Sequence, residues 1–363
     1  MIFDRQDLHD LALGAAFLGT GGGGDPYIGR LMSEQCLNEG LTIDVIDPDE
    51  VPDDALVIPT AMMGAPTVLV EKIPNGDEPI IDLKRLEEIL GRKAYATMPI
   101  EVGGINSTIP LMVGARLGLP IVDADGMGRA FPELQMETFA IFGIPASPLV
   151  AVNEHGDSAV IKARNNHATE WFARAVTVRM GGSSCIAEYP MTGAQVKATS
   201  VRNTLTLARR IGRCIREARQ NHLDPFQALL TLLPDTPYSY GEIIFRGKIV
   251  DVRRDTRAGF VHGEVKIEGG NGWSGTMEIL VQNENLIARV DGRVCAVVPD
   301  LICVMDSETA QPITTEALRY GQRIVVMAVS VPPIMRSEGA LELFGPKAFG
   351  LDVPFTSIEI GKR

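Results

Sequence analysis

The chain has 363 residues, 45% apolar and 22% charged, which is ordinary for a globular protein and long enough for two packed cores. A net charge of −12 and an aromatic content of only 6% argue against a nucleic-acid surface, which needs clustered Lys and Arg or stacking platforms. No apolar run reaches membrane-spanning length, so no nucleic acid and no membrane is expected as a partner.

The five cysteines, Cys36, Cys185, Cys214, Cys295 and Cys303, are odd in number, scattered and without a CxxC pair. They fit reduced thiols in a cytoplasmic protein and give no structural zinc spacing. Met1-Ile2-Phe3-Asp4-Arg5 lacks the basic-then-apolar pattern of a signal peptide.

Asp7 to Phe17 places Leu8, Leu11, Leu13, Ala15 and Ala16 at helical spacing. Leu18-Gly19-Thr20-Gly21-Gly22-Gly23-Gly24-Asp25-Pro26 follows, with five glycines in six residues, far more than a turn needs. Such a run lets backbone approach a ligand and aim several N–H groups at one point. Asp25 suits an N-cap and Pro26 the first helical position, so the loop feeds a helix N-terminus that favours an anion. A plain surface connection is the alternative. The loop ends in Gly-Asp-Pro instead of Gly-Lys-Ser/Thr and follows a helix, so neither ATP nor NAD is expected.

Helix is expected from Pro26 to Asn38, then strands at Leu41–Ile46 and Ala55–Pro59, with Met62-Met63-Gly64-Ala65-Pro66 as the exit loop of the second. Leu83 to Leu90 reads as a helix closed by Gly91. A strand at Ala94–Met98 exits through Pro99 to Ser107. A helix at Ile109–Leu117 leads to a strand at Leu119–Val122, which exits through Asp123 to Arg129. This alternation predicts a three-layer α/β domain with a mainly parallel sheet, whose ligand crevice lies at the carboxyl ends of its strands. The three strand exits and the glycine loop would then line one pocket.

A hairpin is expected at Leu149–Ala163, a helix at Asn166–Arg179, a glycine-bearing loop at Gly181–Ser184, and an amphipathic helix with a solvated basic face at Thr199–Arg219. A short helix starts at Asp224-Pro225. After Pro237, short alternating runs (240–251, 259–268, 274–281, 285–290, 294–298 and 323–329) predict a β-rich, barrel-like domain. The division is placed near 238, giving 1–237 and 238–363, with the core sheet at about 41–190 and helices at 199–233.

Several residues can carry chemistry. Asp123 and Asp125 leave one strand at i and i+2, a spacing that puts two carboxylates on one face. They would hold a divalent metal or share a proton, or else serve as turn residues at Gly126. Glu101 precedes Gly103, Gly104 and Asn106, and is a candidate general base. Glu133 and Glu137 are placed one turn apart on a helix after Pro132. Of His9, His155, His167, His222 and His262, none has a ligand-spaced partner, and each reads first as an ordinary packed or exposed histidine; His167, at the start of a helix that would lie near the pocket if it packs on the sheet, and His262, on a strand beside Gly263, are the two to test. Cys185, after Gly182-Ser183-Ser184, has the best local setting for a reactive thiol, while Cys214 sits mid-helix. Catalysis is thus assigned to Asp125, Glu101 or His167. Substrate binding falls to Gly21, Gly22, Gly23, Gly24, Asp25, Gly103, Gly104, Asn106 and Arg129, and metal binding to Asp123 and Asp125.

The glycine motif at 18–26, Asp123-Ala124-Asp125-Gly126-Met127-Gly128-Arg129-Ala130-Phe131-Pro132-Glu133, and Gly345-Pro346-Lys347-Ala348-Phe349-Gly350 resemble the S-methyl thiohydantoin desulfurase-like family over nearly the whole chain. The resemblance implies an N-terminal three-layer α/β domain and a C-terminal β-rich domain. It also implies a hydrolase-type activity on a small cyclic amide or thioamide, with an S-methyl thiohydantoin giving a hydantoin and methanethiol. An activated water would attack, and the Gly21–Gly24 N–H groups would hold developing negative charge or a substrate carboxylate. The family's association with hydantoinase/oxoprolinase proteins implies a competing reading, a non-catalytic or regulatory partner of such an enzyme. A homo-oligomer is expected on general grounds.

Overall fold

The computed structural model describes residues 1–64, 68, 72, 74–257 and 259–359. It opens with helix α1 (Arg5–Leu18), whose N-cap Asp4 and third residue Asp7 form a reciprocal capping box. Helix α2 (Pro26–Asn38) starts as its sequence predicts, with Asp25 accepting from the Tyr27 N–H and Pro26 in the first turn.

The first sheet has strands β1 (Val45–Ile46), β2 (Leu56–Gly64), β3 (Ala96–Met98), β4 (Ile121–Val122), β6 (Leu149–Val152), β7 (Ser158–Ile161) and β8 (Ser183–Ala187) in the order β1-β4-β3-β2-β8-β6-β7. The short β9 (Met191–Thr192) also pairs with β2. A separate two-residue strand, β5 (Ala124–Asp125), pairs with β10 (Val201–Arg202). From β1 to β2 the neighbours are parallel. Beyond β2 they are antiparallel, because the predicted 149–161 hairpin is part of the sheet.

Two expected loops are corrected by this register. Met62, Met63 and Gly64 extend β2 and pair with Cys185, Ser184 and Ser183 of β8. Ser183 and Ser184 are therefore strand, not loop. Ala65 and Pro66 lie outside the described residues.

Helices α3 (Glu78–Leu90), α4 (Ile109–Leu117), the single-turn α5 (Thr138–Ile141) and α6 (Asn166–Arg179) come next in the chain. Gly91 and Gly118 close α3 and α4 in the left-handed conformation. The segment expected as one helix from Thr199 is instead α7 (Gly193–Thr199), β10 and α8 (Thr204–Gln220), followed by α9 (Pro225–Leu232). Helices α1 and α8 cross at very short range. A β-carbon on Gly14 would lie 1.7 Å from Ala208 O, and one on Gly212 would lie 1.8 Å from Asp10 O. The basic face of α8 is not simply solvated: Arg209 and Arg216 pair with Asp7 and Asp10 of α1 at 2.9 and 2.7 Å.

The second sheet is wholly antiparallel. Its strands are β11 (Gly241–Arg257), β12 (Phe260–Gly269), β13 (Thr276–Gln282), β14 (Glu284–Val290), β15 (Arg293–Val297), β16 (Leu301–Asp306) and β17 (Arg323–Val329), in the order β15-β14-β13-β12-β11-β17-β16. Bulges near 243/245 and 249/251 bend the long β11. The sheet curls into a half-barrel around Phe245, Ile249, Ile267, Ile279 and Val326. Alternation did not reveal β16, because Leu301–Met305 is apolar and buried at every position. The chain then returns to the first sheet's side through α10 (Glu338–Phe344), where the Phe344 ring stacks on Phe131 with centroids 4.7 Å apart. Among the described residues, no helix is long and apolar enough to cross a membrane.

Candidate active site

Three strand exits converge as the crevice argument requires. Met62 and Met63 from the end of β2, Ile100 and Glu101 after β3, and Met127 after β5 line one cavity of about 60 Å³, together with Gly23 and Gly24 of the glycine loop. A water needs roughly 10–15 Å³ by this kind of measure, so the space takes about four waters, on the order of one five-membered ring. Ile105, Asn106, Phe131, Pro132, Glu133, Leu134, Arg174 and Ile186 complete the α/β side. The far wall comes from the second sheet: Asn283 and Glu284, at the β13–β14 turn.

The glycine loop is stitched to both parts of the molecule. Ile302 and Asn285 donate their N–H groups to Thr20 Oγ1 and Thr20 O, each at 2.9 Å, and Thr315 donates to Gly21 O at 2.7 Å. On its other side the Ile105 N–H donates to Gly23 O at 2.9 Å. A β-carbon on Gly104, which has φ +66°, would lie 2.2 Å from that same oxygen. Gly103 and Gly104 are therefore needed for loop-against-loop packing. They are not wall residues of the cavity.

At Gly21–Gly24, where an anion cradle is expected, the space is taken by one of the protein's own side chains, Glu284. A β-carbon on Gly22 would lie 2.0 Å from Glu284 Oε1, and the neighbouring Gly23 N–H favours the ionised form of the Glu284 carboxylate. Gly21 packs on Asn285 and Thr315. Asp25 is spent capping α2 and faces the opposite groove.

Two carboxyl groups thus meet in the cavity from different sheets. Glu101 and Glu284 are both buried, at 5% and 2% exposure, and each has one oxygen (Oε2) without a hydrogen-bond partner. Asn106 holds the other Glu101 oxygen at 2.7 Å and is itself fixed by the Met62 N–H at 2.7 Å and the Met62 carbonyl at 3.0 Å. Burial, and secondarily the Glu284 charge, pushes the Glu101 carboxyl well above its usual range. Burial raises Glu284 to about 8, against the pull of Arg129 and the Gly23 N–H.

Asp125 stands outside the cavity wall. Its Oδ2 accepts from the Val102, Met127 and Gly128 N–H groups at 2.8, 3.1 and 2.7 Å, so it ties together the loops bearing Glu101 and Met127. Burial lifts it to about 7, with the Gly128 and Val102 N–H groups pulling the other way. Asp123 turns instead toward the start of α8, where Thr206 donates both its N–H (3.1 Å) and its hydroxyl. The two aspartates have separate partners and do not share a face, because Asp123 falls between β4 and β5 and breaks the extended run. Among the described residues, no three His, Cys, Asp or Glu side chains are grouped to hold a metal ion.

Arg129 is also not on the cavity. It is fully buried and donates to the carbonyls of Pro299 (2.9 Å), Asp300 (3.0 Å) and Ala130 (3.0 Å). It links the two sheets and carries positive charge toward Glu284. His167 is exposed in the first turn of α6, and His262 pairs in the β12–β13 ladder; neither reaches the cavity. Residues 132–137 are turns, not helix, with Glu133 on the cavity and Glu137 buried behind it. Cys185 is buried in β8, and burial, with Asp82 and Glu78 nearby, raises its thiol well above its ordinary value, which disfavours the reactive thiolate.

Glu284 was missed from the sequence. It lies in a strand with no glycine or motif beside it, and only the packing of the second sheet on the glycine loop gives it a role.

Family models match the whole of this architecture: "S-Me-THD-like, N-terminal domain" over residues 6–163 and "S-Me-THD-like, C-terminal domain" over 164–358. The model border at 163/164 precedes α6 and β8, which complete the first sheet, so it does not follow the change of sheet at about 238. An X-ray crystal structure of a protein from Chromobacterium violaceum is similar, with 25% sequence identity, a TM-score of 0.81, and coverage of 99% of this chain and 100% of that one. No curated protein matches the chain.

Proposed function

We propose, from the premise that this chain belongs to the S-Me-THD-like family, that it is a hydrolase-type enzyme acting on a small cyclic amide or thioamide at the Glu101–Glu284 cavity. The observation that carries the reading is the pair itself: two buried carboxyls, each with one unpartnered oxygen, on a ring-sized space. Like charges in one closed site cannot both ionise cheaply, so the pair holds a proton at neutral pH.

The surroundings divide the roles. Glu284 has the Gly23 N–H and Arg129 to favour its ionised form. Glu101 has the Asn106 N–H, but faces the Glu284 charge. Glu284 therefore ionises first and acts as base, while Glu101 keeps its proton and acts as acid. On an S-methyl thiohydantoin, Glu284 takes one proton from a water whose oxygen attacks the carbon bearing the methylthio group, while Glu101 gives its proton to the ring nitrogen of the C=N bond. As the tetrahedral adduct collapses, the C–S bond breaks, the thiolate takes the proton held by Glu284 and leaves as methanethiol, and the remaining proton of the added hydroxyl passes to Glu101. The water oxygen becomes the ring carbonyl, the nitrogen keeps the proton from Glu101, and both carboxyl groups return to their starting states.

Thiol release from 5-methyl S-methyl thiohydantoin, read with a thiol-reactive dye, tests this. Turnover by the wild-type protein that is lost in Glu284→Gln supports the reading, and unchanged turnover in that variant rejects it.

A further inference from the structure

The Asn106 and Arg174 donors on the cavity wall are engaged, while two carboxyl oxygens there are not. Both Asn106 amide N–H groups are used, on Met62 O and on Glu101 Oε1. The Gly23 N–H is turned to the Glu284 carboxylate, whose ionised form it favours. Arg174, the one cation on the wall among the described residues, donates to Glu170 Oε1 at 2.7 Å and to Pro132 O at 2.8 Å, and stacks on the Phe260 ring at 4.5 Å. Facing it are three carboxyl groups, Glu101, Glu133 and Glu284. Of these, Glu101 Oε2 and Glu284 Oε2 are buried without a partner. A buried acceptor left unpaired costs free energy that a ligand recovers by bringing a donor.

The rest of the wall is soft and apolar: Met62, Met63, Met127, Ile105, Leu134 and Ile186. Methionine thioethers pack well on polarisable groups of variable shape, such as an alkylthio substituent.

The geometry points to a substrate class defined by charge: a ring that offers N–H donors or a protonated amidine-like edge to Glu101 and Glu284, carries its alkylthio or alkyl group on the methionine wall, and bears no carboxylate. This rests on the cyclic-substrate reading above and narrows it. The site discriminates by repulsion as well as attraction: an acidic side group would face three carboxyls, with the Arg174 guanidinium already paired. The cradle that would have bound a substrate carboxylate is the one that Glu284 occupies.

The test measures binding by titration calorimetry at pH 8, where Glu284 is partly ionised, with three probes. These are 5-methyl S-methyl thiohydantoin, its 5-carboxymethyl analogue, and the ring-free S-methylisothiouronium cation, each against wild type and Glu284→Gln. The neutral ring is expected to bind at least ~100-fold more tightly than the acidic one, with the gap narrowed in Glu284→Gln. Equal binding of the two rings overturns the inference. If neither ring binds but the isothiouronium cation binds wild type and not Glu284→Gln, the charge class stands and the cyclic-substrate reading fails. If the cation also fails to bind, both fall. Melting profiles of the two proteins, compared first, ensure that the variant is folded.

Discussion

Gly22 and Glu284 are in mutual contact across the junction of the two sheets: a β-carbon on the glycine would lie 2.0 Å from the carboxylate oxygen. The glycine run thus holds a catalytic candidate of the protein itself, supplied from 262 residues further along the chain (284 − 22). The relationship explains why a loop this rich in glycine is useful without a bound phosphate.

Gly22→Ala should therefore displace Glu284 and loosen the junction. Overpacking of this kind costs about 2–3 kcal/mol, and turnover should fall with it. Gly40→Ala is the comparison: Gly40 has φ +79° but nothing within 4 Å of an added β-carbon, so it pays backbone strain of only about 1 kcal/mol. Urea melts of the two variants check this. Equal losses would mean that the Gly22–Glu284 contact has no special weight.

Stability should decline as pH rises. Glu284 is raised from 4.5 to about 8, Asp125 from 3.8 to about 7 and Asp300 from 3.8 to about 6, in each case mainly by burial. Between the unfolded and folded values, the native state binds more protons than the unfolded one. The contribution is full below about pH 4 and is lost progressively until about pH 8, at up to about 1.4 kcal/mol per pH unit for each proton. Glu284→Gln should flatten the upper part of this slope, between pH 6 and 8. Urea melts at pH 5, 6.5 and 8 read the difference, and parallel slopes in variant and wild type would contradict the assignment.

The same ordering gives an activity profile. kcat/KM should rise with pH as Glu284 ionises near 8 and fall once Glu101 loses its proton. Glu101→Gln should remove the falling limb and lower kcat by about 10²–10⁴. A profile that keeps both limbs in this variant would assign the acid elsewhere.

Arg129→Met should destabilise by about 3–5 kcal/mol, because removing one partner of a buried charged network strands the others. The Pro299, Asp300 and Ala130 carbonyls would lose their donor. Arg129→Lys should not rescue it, since one ammonium cannot span the fork of carbonyls. Thermal melts decide. A lysine variant as stable as wild type would mean that charge alone is needed.

Cys185 should resist alkylation in the native state, and Cys185→Ala should keep its turnover. Cys214 and Cys295, which are half-buried, should react first with iodoacetamide. Mass mapping of the modified peptides would expose any early reaction at Cys185.

The sequence by itself determined the local rules and the class of fold. Asp25-Pro26 suits a helix start and Gly91 a helix end, and helices expected at about 109–117 and at 166–179 are found there. Helix–strand alternation placed the crevice, and Glu101 and Asn106 do reach it. These features depend on neighbours a few residues apart, and spacing reports them.

Only the tertiary structure decided what each polar group faces. Asp123 and Asp125 have the spacing of a shared face, but one bonds to α8 and the other to three loop N–H groups. Arg129 and the glycine loop carry the look of a ligand site, and both serve the packing of the second sheet. Glu284 has no local signal at all, and reaches the cavity because β14 brings it onto Gly22 and Gly23, on a wall shared with Glu101. Burial and opposing charge set the chemistry of a carboxyl group, and both are supplied by residues far away in the chain.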